Sequence, residues 1–274
     1  MSSDEADRAQ LDAAIRLFKE GKLDEALASL ELVDERELAH MKHYNRGLVL
    51  AQLGRLEEAL DAFHQVRDVP LKLEGFDSAK FLHAFYSSVA SVLVQLSEND
   101  RSRLDDAISC YEYALQVDAT DAATWHDLGI VFIEYGMPGE AIAKLEKAVE
   151  LEPAYHDGLY YLAIAHEQVD ELDEAIDCLK RALLVADPFD KYTKRLASLL
   201  VKAGKLEEAK SHVEGVLIDY PADAEMLGNM VIILHGLGDA EGAKMYYKRL
   251  RSEGADLQRS WLAKIGMLRD DDDI

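Results

Sequence analysis

The chain has 274 residues, 49% of them apolar, with 53 acids against 30 bases and a net charge of −23. That charge argues against a nucleic-acid backbone as partner, and no apolar run is long enough to span a membrane. Two cysteines in 274 residues make no disulfide framework, which points to a reducing, cytoplasmic setting; the acidic N-terminal residues Met1–Asp7 lack the basic and apolar regions of a signal peptide.

From the first predicted helices onward, alanine recurs in one apolar context at Ala26, Ala59, Ala107, Ala141, Ala175, Ala209 and Ala243, with spacings of 33, 48 and then 34 four times. Leucine stands three residues before it at Leu23, Leu56, Leu104, Leu172 and Leu206. Glycine stands five before it at Gly21, Gly54, Gly136, Gly204 and Gly238, where a left-handed residue would end one helix before the next begins. Each unit carries two helical apolar stripes. Trp125, Leu128, Gly129, Phe132 and Tyr135 mark a first helix, and Ala141, Ile142, Leu145, Ala148 and Val149 a second. Small residues on both stripes let the backbones approach, so leucine at Ala141 or Ala175 would overpack the contact.

Trp125-x2-Leu128-Gly129-x2-Phe132, followed by Ala141-x3-Leu145, Ala148 and Pro153, resembles the tetratricopeptide repeat. The resemblance covers about residues 7–255. It implies an all-α, right-handed superhelical solenoid of seven helix-turn-helix units, read as 7–39, 40–77, 78–121, 122–155, 156–189, 190–223 and 224–254. The sequence reads as one solenoid, closed by a capping helix over 255–269 that carries Trp261 and Leu262, with an acidic tail at 270–274. The 48-residue spacing leaves 14 extra residues, which fall within two segments, Asp68–Ser78 and Glu98–Arg103.

Charge changes sign along the chain. Residues 1–103 carry −6, residues 104–187 carry −15, residues 188–269 carry +2, and Asp270–Asp273 add −4. The resemblance implies that first helices line a concave groove for a protein or peptide partner. Carried onto this sequence, that surface comprises Tyr44, Asn45, Ser87, Ser88, Ser91, His126, Asp127, Tyr160, Tyr161, Glu167, Lys191, Lys194, Arg195, Ser198, Lys202 and Asn229. Serines would leave room for an extended backbone, and tyrosines would add apolar area with a polar tip. Asp127 and Glu167 would favour basic residues; Lys191, Lys194, Arg195 and Lys202 would favour an acidic stretch. A carboxylate clamp of the kind some family members use on chaperone C-termini is matched only in part, at Lys194, Asn229 and Arg259, with Ser198 and Ala263 departing from it.

No phosphate loop, nucleophile elbow or HExxH motif is present. His40 and His43 share a helix face without a completing ligand, and Cys110 and Cys178 lie 68 residues apart, too far in a regular stack to bond. The expected function is therefore a scaffold or adaptor without catalysis, cofactor or metal. The alternative is a self-assembling, homo-oligomeric scaffold in which the acidic middle of one molecule meets the basic end of another.

Overall fold

A computed structural model describes residues 3–66, 76–98, 100–185 and 190–256, in which fourteen α-helices and no strands are found. The helices are α1 (Ser3–Lys19), α2 (Leu23–Glu31), α3 (Glu35–Gln52), α4 (Leu56–His64), α5 (Ser78–Leu96), α6 (Arg103–Val117), α7 (Ala122–Tyr135), α8 (Pro138–Leu151), α9 (His156–Gln168), α10 (Leu172–Val185), α11 (Asp190–Lys202), α12 (Leu206–Asp219), α13 (Ala224–Gly236) and α14 (Ala240–Ser252). Odd-numbered helices are the first and even-numbered the second members of the repeat pairs. The proposed capping helix beyond residue 256, the acidic tail and residues 67–75 of the first insertion lie outside the described residues, as do Arg259 and Ala263.

Two compact units, Met1–Met137 and Pro138–Ile274, divide the chain between α7 and α8, a division that the repeat register does not mark. In the first unit each helix packs on the next in order, and first helices also touch, α1 on α3 and α3 on α5. The second unit follows the same scheme from α8 to α14, with α11 also touching α13.

Local chemistry explains these helices. All seven repeat alanines are fully excluded from solvent, since only a methyl group fits where a second helix lies against its neighbours. Asp77, Asp121, Asp223 and Asp239 accept backbone hydrogen bonds from Lys80, Thr124, Met226 and Gly242, satisfying amides that the first turn leaves unpaired. Gly136 and Gly204 end first helices in the left-handed region, at φ 85° and 71°. The equivalent position in the fifth pair is Asp170, at φ 64°, a conformation that a short polar side chain tolerates better than most.

The second insertion braces the fold. Arg101 donates to the carbonyls of Glu134 and Tyr135 at the end of α7 (3.0 and 3.1 Å), while Asp100 accepts from the Ser102 amide and hydroxyl. A cation at the carbonyl end of a helix is favoured by the helix dipole. At the end of the first insertion, Phe76 packs on His40 and Phe81.

Candidate functional site

In the first unit, α3 positions Tyr44 and Asn45, α5 positions Ser87, Ser88 and Ser91, and α7 positions His126 and Asp127. The Tyr44 ring meets Phe81 edge-on at 5.2 Å and neighbours Phe63 and Phe85. Its hydroxyl lies 3.4 Å from Ser88 Oγ, whose own proton goes to the Ala84 carbonyl, so Tyr44 is the donor. Burial raises the pKa of that phenol. Packing thus holds the Tyr44 ring within the aromatic cluster, where the sequence reading makes it a stacking surface. Asn45 donates to the Met41 carbonyl of its own helix at 2.8 Å.

Ser87 Oγ is 3.3 Å from Thr124 Oγ1, which also meets His83 Nε2 and donates to Asp121. Ser91 is exposed. With Ser87, Ser88, Leu48, Ala51 and Phe63 it lines a recess of about 270 Å³ between α3 and α5, extended by Val92 and Gln95. Its walls are mainly apolar, and its polar groups are the serine hydroxyls and the Gln95 amide. The recess suits an apolar side chain carried on a hydrogen-bonding backbone. His126 is buried with Nδ1 3.0 Å from the half-buried Asp127 carboxylate.

In the second unit α9, α11 and α13 bring the remaining candidates together as interlocking pairs. Glu167 on α9 accepts from Arg195 Nη2 (2.5 Å) and Lys202 Nζ (3.2 Å), both on α11. Asp157 accepts from Lys191 Nζ (3.1 Å) and from the hydroxyl of Tyr192 (2.7 Å). Burial works against the Asp157 carboxylate, but the Tyr192 and Lys191 hydrogen bonds outweigh it and hold the pKa below the usual range. Lys194 pairs with Asp223 at 2.5 Å and lies over the Tyr220 ring. Ser198 donates to Glu225 (2.6 Å) and accepts from Asn229 (3.0 Å). Tyr160 meets Tyr161 edge-on and lies beside the buried Tyr192, with Lys191 Nζ 4.8 Å from its ring centre.

The sequence reading offers Lys191, Lys194, Arg195 and Lys202 to an acidic ligand, whereas each has a carboxylate partner within the same unit. One of those partners follows the repeat spacing. Asp157 stands one 34-residue repeat before Lys191, so the two occupy matching positions on adjacent first helices. Tyr192, Asp223, Glu225 and Thr124 were missed because they close pairs between helices, which no single-unit pattern displays.

His40 and His43 are both buried, His40 between the ring edges of Phe76 and Phe81. Among the described residues, no three His, Cys, Asp or Glu side chains gather as metal ligands. Cys110 and Cys178 are free thiols, and burial pushes both up to about 11. No described helix is long and apolar enough to cross a membrane.

Comparison with known proteins agrees with the repeat fold. Two family models, each described as tetratricopeptide repeat, match residues 11–68 and 132–199. Over 156 residues the chain is 27% identical to the TPR repeat-containing protein YpiA of Bacillus subtilis, covering 56% of this chain and 36% of YpiA. Over 110 residues it is 26% identical to Superkiller protein 3 of Saccharomyces cerevisiae, covering 40% of this chain and 8% of that protein. The chain therefore spans about a third or less of these relatives. Among solved structures, the C-terminal part of a TPR repeat-containing protein from Cytophaga hutchinsonii superposes with a TM-score of 0.70 at 17% identity, covering 88% of this chain and 94% of that one. YrrB, described as a TPR protein with an unusual peptide-binding site, gives 0.59 at 23% identity, covering 66% and 90%. Likeness at these identities concerns the fold.

Proposed function

The chain is a tetratricopeptide-repeat protein, an architecture that serves as a protein-interaction scaffold, and from that premise we propose that it holds a peptide or partner segment on its first-helix surfaces. The observation that carries this reading is the recess between α3 and α5. Its apolar walls and the hydroxyls of Ser87, Ser88 and Ser91 would receive one apolar side chain of an extended segment. Such anchors, seated in small desolvated pockets, supply most of the affinity of many interfaces.

On the second unit the proposed contact is polar. The α11 cations are compensated by Asp157, Glu167 and Asp223, so an acidic ligand would have to displace carboxylates already in place. Hydrogen bonding to the Ser198–Glu225–Asn229 group and packing on Tyr160 and Tyr161 ask for no such exchange. The same compensation takes away much of the attraction that end-to-end self-assembly would require.

We read the protein as non-enzymatic and cytoplasmic. Burial raises the pKa of both thiols to about 11, so both stay protonated near neutral pH and are weak nucleophiles. The test is affinity purification with the intact chain, with Ser91→Trp, which fills the mouth of the recess, and with Ser211→Trp on the exposed surface of α12. A partner lost only with Ser91→Trp supports the proposal; one retained by all three proteins refutes it.

A further inference from the structure

Away from the first-helix surfaces, the second unit contains a cleft of about 710 Å³ between α8 and α10. Its floor is made of the buried apolar Val149, Leu162 and Cys178 and, at one side, the buried His166, whose Nδ1 lies 2.7 Å from Glu171 Oε2. Its exposed rim carries Glu146 and Glu150 from α8 and Asp173, Glu174 and Asp177 from α10, against the single cation Arg181. Arg181 is 3.9 Å from Asp177, Glu150 is paired with Lys147 of its own helix, and Asp173 is paired with Lys205. Glu146 and Glu174 have no cationic partner among the described residues. Burial raises the Cys178 thiol pKa most; Arg181 lowers it, and Asp177, Glu146 and Glu174 raise it, so rim charges of both signs act at the floor.

The next gap in the same unit is built differently. Between α10 and α12, Lys180 meets Glu208 at 2.6 Å and Lys205 meets Asp173 at 2.5 Å, so opposite charges bridge the helices. The stripe of α10 that carries Asp177 and Arg181 continues, at a spacing of three and four residues, to Leu184 and Val185. Leu184 is 84% exposed and Val185 48% exposed, and Leu151 lies exposed just beyond Glu150. An apolar floor, an acidic rim and apolar side chains beyond the rim occur together.

We propose that the α8–α10 cleft is a second docking site, for a basic amphipathic segment of a partner protein. An arginine or lysine head would lie between Glu146 and Glu174, with its aliphatic stem on Val149 and Leu162. Apolar neighbours in the segment would cover Leu184 and Val185. Charge selects the sign of the partner, since residues 104–187 hold 19 acids and 4 bases and would attract cations at long range. The apolar floor and the size of the cleft select a polypeptide side chain over a bare cation, which would gain nothing from Leu184 or Val185. This site is independent of the α3–α5 recess, so either proposal would survive failure of the other.

The test uses the full chain and two fluorescent 18-residue peptides near physiological salt, one with leucine and arginine at helical spacing, the other with serine in place of leucine. Anisotropy is measured for the wild type, for Glu146→Gln/Glu174→Gln, and for Glu207→Gln/Glu214→Gln, which removes the same charge from exposed α12. The expected result is a loss of affinity of about five- to tenfold for the cleft variant and less than twofold for the α12 variant, with circular dichroism unchanged in both. Leu184→Ser/Val185→Ser should weaken the leucine peptide and leave the serine peptide unaffected. Equal losses in both charge variants would overturn the proposal, because overall negative charge would then suffice. Absence of binding, competition by spermine as strong as by the leucine peptide, or self-association that blocks the peptide would overturn it too.

Discussion

Alanine at Gly47 should destabilise the protein even though alanine is the better helix former. Gly47 lies inside α3, where a Cβ would stand 2.5 Å from Phe63 Cδ1 and 2.8 Å from Cζ. The Phe63 ring is 1% exposed, and it lies against Phe85 at 5.9 Å and Tyr44 at 6.1 Å, so it has little room to yield. Overpacking a core by one methyl costs about 1–3 kcal/mol, against about 0.5–1 kcal/mol gained from helix propensity. The net loss is then about 1–2 kcal/mol, or roughly 2–8 °C in Tm for a protein of this size. Gly215 in α12 provides the comparison, since a Cβ there would meet nothing within 4 Å. Gly215→Ala should stabilise by about 0.5–1 kcal/mol. Thermal melting followed by circular dichroism reads both. A Gly47→Ala protein that melts at or above the wild-type temperature would refute the close-approach argument.

Further predictions address other parts of the molecule. Glu167→Gln removes the negative charge between Arg195 and Lys202 and one of the two oxygens that accept from them, and should cost about 1–2 kcal/mol in denaturant unfolding, a loss that high salt makes smaller. Asp170→Gly relieves a left-handed residue and should raise the melting temperature, with a gain of about 1 kcal/mol. Ala175→Leu should overpack the α9–α10 contact by about 1–3 kcal/mol, visible in the same melting assay. Burial lowers the His40 pKa below its unfolded value, so the unfolded chain binds the proton more readily. Stability should fall as pH drops from about 7 toward 5, and His40→Phe should reduce that dependence in unfolding measured across the range.

Much of the architecture was legible because a tandem repeat reports the same contact many times. Seven alanines in one register all prove to be fully buried, and the glycines five residues earlier take the left-handed turn. Asp170 shows where the pattern hides a constraint, since its identity breaks the glycine rule while its backbone obeys it. The division between α7 and α8 was not legible, because repeat spacing runs through it without interruption. The candidate surface was legible as positions more than as chemistry. Lys191, Lys194, Arg195 and Lys202 read as an unopposed basic patch only while each unit is considered alone; the carboxylates that answer them stand on neighbouring first helices. Tyr44 likewise reads as an exposed platform until Phe63, Phe81 and Phe85, distant in sequence, close around it.

That compensation also decides which experiment is informative. Reversing Lys191, Lys194 and Arg195 to glutamate would leave Asp157, Glu167 and Asp223 facing like charges, so lost binding would be confounded with lost stability. Site-specific crosslinking avoids this. A photoreactive phenylalanine analogue placed at Ser91, and in separate proteins at Glu150 and Ser211, would report which surface a bound partner touches. If the α3–α5 recess holds the partner segment, crosslinks form from position 91, and position 211 stays silent. Crosslinks from position 211 with none from position 91 would contradict the account.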